Sequence, residues 1–181
     1  VLVVMLISAA IHEIGHALLA FRADYSVEEW GVVLLLGIIP AGAYVKIPSE
    51  EIRDGNMWDS LRVLAAGIMA NYMVFVITVT IAIITNIPLL EGYQYYLQIL
   101  PSVNGVDEIS TITSLGFWMA FLNINLAAVN SLPIYGLDGG NMAYVGCKPL
   151  QSERITKSIV YTITIATMLI VSSLFILPSI S

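Results

Sequence analysis

His12-Glu13-Ile14-Gly15-His16 lies inside an uninterrupted apolar run, and its reading decides the fold of the chain. On a helix, residues four apart share one face, with Cβ atoms about 5–6 Å apart. His12 and His16 then present two imidazoles to one metal ion, and Glu13 reaches a water bound to that ion. The chain has only two histidines, and both fall in this pattern. A charged residue at the centre of a membrane helix costs about 2.5–3.5 kcal/mol even on the lenient insertion scale. Three ionisable groups at such a place therefore argue for chemistry over hydrogen-bonded packing between helices.

The surroundings of the motif set the class. Of 181 residues, 58% are hydrophobic and 11% charged, with a mean hydropathy of +0.87. A soluble domain carries about 25% charged residues, so this is an all-α polytopic membrane protein. The net charge of −6 and the absence of a basic patch exclude a nucleic-acid partner. Cys147 is the only cysteine, so no internal disulfide forms. Val1 already lies within an apolar run, and we expect residues to be missing upstream.

Four runs are long enough to span a bilayer core of about 30 Å: about 1–21, 58–85, 114–130 and 156–177. They form one membrane-embedded core over residues 1–181. Between the first two, residues 30–45 are uncharged but hold Gly31, Gly37, Pro40 and Gly42. This stretch is too short for a span and rich in valine, so we expect a membrane-associated β-hairpin at about 30–48, with Ala41–Ile47 as its likeliest strand. Residues 49–62 read as a polar loop. Ala65, Ala66, Gly67 and Ala70 give the second helix a small-residue face for close packing, and Asn71 sits on that side. Asn86 and Pro88 end that helix. Val103–Ile109 reads as a hairpin turn. The positive residues fall between the first and second spans and between the third and fourth, which places those loops in the cytosol and the metal motif nearer the cytosolic side.

A catalytic zinc takes three protein ligands and keeps a fourth position open. Asp138, which closes the third apolar run, is the best third ligand. Asp59, in the polar loop, is the alternative, and for Asp138 itself the competing role is a helix cap. With zinc activating a water, Glu13 acts as general base and passes the proton to a leaving amine. The Asn71 amide is a candidate catalytic donor to the oxyanion. A helical substrate must unwind to expose its carbonyls, and the segment Ala41, Gly42, Ala43, Tyr44 and Val45 can hold the unwound strand by edge pairing. Intramembrane His and acidic residues also mark ion pathways, so a metal transporter is the competing class. A transporter is expected to repeat its polar residues in two halves, and no such repeat occurs here.

These residues resemble the site-2 protease family of intramembrane zinc metalloproteases. The family's H-E-x-x-H appears at His12–His16, and its N-x-x-P-x-x-x-L-D-G motif runs from Asn130 to Gly139. A G-x-x-x-N pattern spans Gly67 to Asn71, and Pro40–Lys46 is similar to the family's hairpin strand, with Ala43 where glycine is common. The resemblance implies zinc ligation by His12, His16 and Asp138, catalysis by Glu13, and a supporting role for Asn71. It also implies substrate contacts at the hairpin strand and Asn130. The implied substrates are single-pass transmembrane proteins, cut within the lipid bilayer.

Overall fold

A computed structural model describes residues 1–35, 39–97, 110–148 and 152–176. Its elements in order are α1 (Leu2–Arg22), β1 (Glu29–Leu35), β2 (Ile39–Lys46), α2 (Ser49–Asp54), α3 (Met57–Thr85), α4 (Leu89–Leu97), α5 (Thr111–Ser131), α6 (Asp138–Cys147) and α7 (Glu153–Ile176). Four of these helices, α1, α3, α5 and most of α7, are long and apolar enough to cross a membrane. The chain is mostly helical, with one two-stranded antiparallel sheet between its first two spans.

The spans are apolar outside and polar inside. In α1 the buried residues are Val4, Ser8, His12, His16 and Ala20, a stripe with a period of four. Leu2, Val3, Ile7, Ile14, Leu18 and Phe21 face outward. Lipid replaces water as the outer solvent, so the hydrophobic side chains gain nothing by packing inward. The interior mixes small and hydrogen-bonding groups with a few apolar side chains such as Val63, Leu64 and Phe117. The same pattern holds in α5, where buried Asn123 donates to Ser8 Oγ at 2.8 Å.

The central element is α3, which packs against α1, α5 and α6. Small residues permit this closeness. A Cβ on Gly15 of α1 would lie 2.7 Å from the Ala66 carbonyl oxygen and 3.1 Å from the Ala70 Cβ. The start of α3 is capped by Asn56, whose side chain accepts from the Trp58 and Asp59 backbone N–H groups. Its end is closed by Asn86 in the left-handed conformation, φ 55°, with Ile87 N–H donating to the Ala82 carbonyl at 2.9 Å. Ser110 caps α5 in the same way as Asn56 and starts that helix at Thr111, earlier than the apolar run alone indicates.

The hairpin pairs Glu29 with Lys46 through Leu35 with Ile39, with a bulge between Val33 and Leu34. Packing of β2 against α1 carries the sheet to the metal motif. Two elements depart from the sequence reading. Residues 49–54, read as loop, form α2, and residues 89–97 form α4. Both are short: α2 is held by side-chain contacts, and α4 is amphipathic and packs on α5. The Glu51 carboxylate fastens α2 by accepting from Ser26 N–H and Oγ at 2.6 Å each. The expected turn at 103–109 lies outside the described residues.

Candidate metal centre

The first turn of α6 brings Asp138 to the buried stripe of α1. Asp138 Oδ2 lies 3.0 Å from His12 Nε2 and 3.3 Å from His16 Nε2, and the two Nε2 atoms are 3.1 Å apart. Ligands about 2.0–2.1 Å from a tetrahedral zinc are separated by about 3.3 Å from one another. The three atoms thus occupy something close to one face of a zinc coordination tetrahedron. They come from elements 126 positions apart in sequence. Both imidazoles are buried, and the Asp138 side chain is 16% exposed.

The groups behind the ligands set their tautomers. His16 Nδ1–H donates to the Val63 carbonyl at 2.7 Å, leaving the Nε2 lone pair toward Asp138. On His12 the corresponding partner is Asn71, whose Nδ2 lies 3.2 Å from Nδ1. Asn71 Oδ1 is buried with no hydrogen-bond partner among the described residues. Half a turn of the amide brings that oxygen to His12 Nδ1–H and frees the second Nε2 lone pair. Two imidazole lone pairs and a carboxylate then converge at hydrogen-bond distance with no proton between them. That donor set fits a divalent cation and suits zinc.

The approach of α3 to the imidazoles is close. A Cβ on Gly67 would lie 2.7 Å from His12 Nε2 and would press still more closely on His16 Nε2. The absent side chain is what lets both imidazoles pack against α3 here. Gly67 and Asn71 are four apart on one face of α3, so a single stripe makes the room and holds the ring. From the residues themselves Gly67 reads as a helix-packing residue and Asn71 as an oxyanion donor, not as a support for a ligand ring. The G-x-x-x-N spacing was the available signal.

The other sequence candidates separate cleanly. Glu13 Oε2 accepts from the Val45 backbone N–H at 2.8 Å, which ties α1 to the outer edge of β2. Glu13, Gly42, Ala43, Tyr44, Val45 and Asn130 line one cavity of about 520 Å³ with His12, His16 and Asp138. Ala41 belongs to β2 by its backbone. Asn71 does not face the cavity as an oxyanion donor would: its amide engages the His12 nitrogen turned away from Asp138. Asp59, the alternative ligand, is paired with Arg62 at 3.0 Å in the first turn of α3, away from the imidazoles. Among the described residues, His12, His16 and Asp138 form the one cluster of at least three potential ligands.

The electrostatics agree with the geometry. Burial alone would raise the Asp138 carboxyl, but when the imidazoles carry a proton on Nε2 the hydrogen bonds they donate to it outweigh burial and bring its pKa down to about 2. Asp138 is therefore a carboxylate at any physiological pH.

Comparison with known proteins gives a consistent picture. A family model described as peptidase family M50 matches residues 1–171. The chain is 34% identical over 87 residues to the regulator of sigma-W protease RasP of Bacillus subtilis, a match covering 45% of this chain and 21% of that protein. It is 28% identical over 120 residues to the zinc metalloprotease RasP of Oceanobacillus iheyensis, covering 63% of this chain and 27% of the relative. The chain thus spans only about a quarter of these relatives' length.

Proposed function

Because this chain belongs to peptidase family M50, we propose that it is the catalytic core of a zinc endopeptidase that cuts membrane-anchored proteins inside the bilayer. The observation that carries this reading is the convergence of His12 Nε2, His16 Nε2 and Asp138 Oδ2 within 3.3 Å of one another, beside Glu13. His12, His16 and Asp138 would hold the ion. Bound there, zinc supplies Lewis acidity toward a peptide carbonyl and brings water to a pKa near about 7.

The chain's own groups supply the rest. Glu13 takes the proton of the attacking water on its carboxylate and delivers it to the leaving amine. Val45 N–H holds one oxygen of that carboxylate, leaving the other to work. Asn71 and the Val63 carbonyl orient the two imidazoles. The outer edge of β2, through Ala43 and the Val45 carbonyl, supports an unwound substrate segment by backbone hydrogen bonds, and Asn130 contributes a polar contact from the lining of the same cavity. The relative named a regulator of sigma-W protease supports membrane-anchored regulators as a substrate class. The arrangement of positive residues supports an active site nearer the cytosolic side.

Reconstitution of the zinc-loaded chain with a single-pass substrate in vesicles tests the reading. Cleavage within the substrate's transmembrane segment, abolished by chelation and restored by zinc, is the expected result. An intact substrate alongside stoichiometric bound zinc would count against peptidase activity.

A further inference from the structure

One cation stands in the cavity that holds the metal ligands. Arg53 lines it together with Glu13, Asp138 and the hairpin strand, and it is the one Lys or Arg among the described lining residues. Its guanidinium carbon lies 5.2 Å from the centre of the Tyr144 ring. A cation–π contact of this kind draws the group toward the ring face without using up its N–H donors. All three lysines and Arg62 are paired: Lys46 with Glu28 at 3.0 Å, Lys148 with Asp54 at 2.6 Å, Lys157 with Glu153 at 2.8 Å and Arg62 with Asp59 at 3.0 Å, while Arg22 and Arg154 lie outside this cavity's lining. Among the described residues no carboxylate lies within ion-pair distance of Arg53, although Glu153, paired with Lys157, is near enough to feel its charge.

The helix that carries Arg53 is clamped at both sides. Glu51 binds Ser26, while Lys148 Nζ donates to both the Asp54 carboxylate and the Arg53 carbonyl. The guanidinium is therefore presented from a fixed support. Its place along the cavity is also defined. A segment laid on the outer edge of β2 passes Ala43 and Val45, then Ile47 and Ser49, and reaches Arg53, all on the wall of the same cavity. Directly after α2 comes the polar start of α3, with Asn56, Asp59 and Arg62. Arg53 thus occupies the water-facing end of the path, beyond the membrane-embedded part of a bound segment.

We propose that Arg53 is a specificity-determining residue that pairs with an acidic side chain just outside the membrane-embedded part of the substrate, a few residues from the cleaved bond. This rests on the peptidase reading above. A half-exposed ion pair changes preference by up to about fivefold.

The test uses two single-pass substrates that differ only in one flanking residue, Glu in one and Lys in the other, in phosphatidylcholine vesicles. The wild-type protein is expected to cleave the Glu substrate about fivefold better, through KM rather than kcat. Arg53→Glu is expected to reverse the preference, and Arg53→Lys to keep its direction. Equal cleavage of both substrates by the wild type, or an equal loss on both in Arg53→Glu, overturns the proposal. A preference seen only when anionic phosphatidylglycerol is added also overturns it and assigns Arg53 to a lipid headgroup. If neither substrate is cleaved by the wild type, the peptidase reading fails. Binding of the same pair to zinc-loaded Glu13→Gln still decides Arg53, since equal affinities refute the pairing and a preference for Glu supports it.

Discussion

Glu13 and Val45 are joined by a 2.8 Å hydrogen bond from the strand's backbone N–H to the helix's carboxylate, so the proposed base and the proposed substrate-binding edge are held as one unit. The bond separates two functions of Glu13 that substitution can resolve. In Glu13→Gln the amide oxygen still accepts from Val45 but is no base. We expect cleavage to fall at least about 100-fold, the scale of general-base catalysis, with bound zinc and melting temperature near wild type. Glu13→Ala loses the strand contact as well, and should add faster proteolytic nicking of residues 29–46. Zinc analysis and limited proteolysis of both variants check this.

Asn71 is expected to act on the metal rather than on the reacting carbonyl. Loss of an outer-sphere partner costs about 10–100-fold in metal affinity, whereas loss of an oxyanion donor costs about 10²–10³ in kcat. Asn71→Ala should therefore bind zinc more weakly and recover most of its rate when zinc is raised. A rate deficit that persists at saturating zinc would return Asn71 to the oxyanion role.

Gly67→Ala should displace both imidazoles, since the added carbon meets each Nε2 at less than ordinary contact distance. Overpacking of this kind costs about 1–3 kcal/mol, and here it falls on the ligands themselves. The expected outcome is a chain that inserts and folds but retains little zinc. Zinc content equal to that of the wild type would show that the imidazoles hold the ion without needing Gly67.

Acidification should release zinc through the imidazoles and not through Asp138. A carboxyl lowered to about 2 contributes stability above its unfolded value, near about 3.9, and loses it only as the pH falls through about 2. Each imidazole must shed its proton to ligate, so once both are protonated log Kd for zinc should rise by about two for each further pH unit of acidification. A competition titration measures the slope, and a value near three would mean that Asp138 protonates in the same range.

Much of the fold was legible because lipid imposes a simple rule: a span must be long, apolar and internally hydrogen-bonded. The runs at about 1–21, 58–85, 114–130 and 156–177 obey it, and over their described residues α1, α3, α5 and α7 lie there. The hairpin was legible for the opposite reason, since its glycines, proline and valines make a poor span and a good strand pair. What escaped was short and held from outside: α2, fastened by Ser26 and Lys148, and α4, whose packing partner is α5.

For the site, the sequence by itself determined which residues are able to ligate. Two histidines one turn apart must share a face, and a lone acid at the end of an apolar run needs a compensating partner. Only the tertiary structure decided how those residues meet. The path of α6 back to α1 brings Asp138 to within 3.3 Å of both imidazoles, and α3 turns Gly67 and Asn71 to face them. Spacing along a chain fixes neighbours within a helix, because helical geometry is local. The approach of one helix to another depends on side-chain packing summed over whole faces, and no short motif encodes that sum.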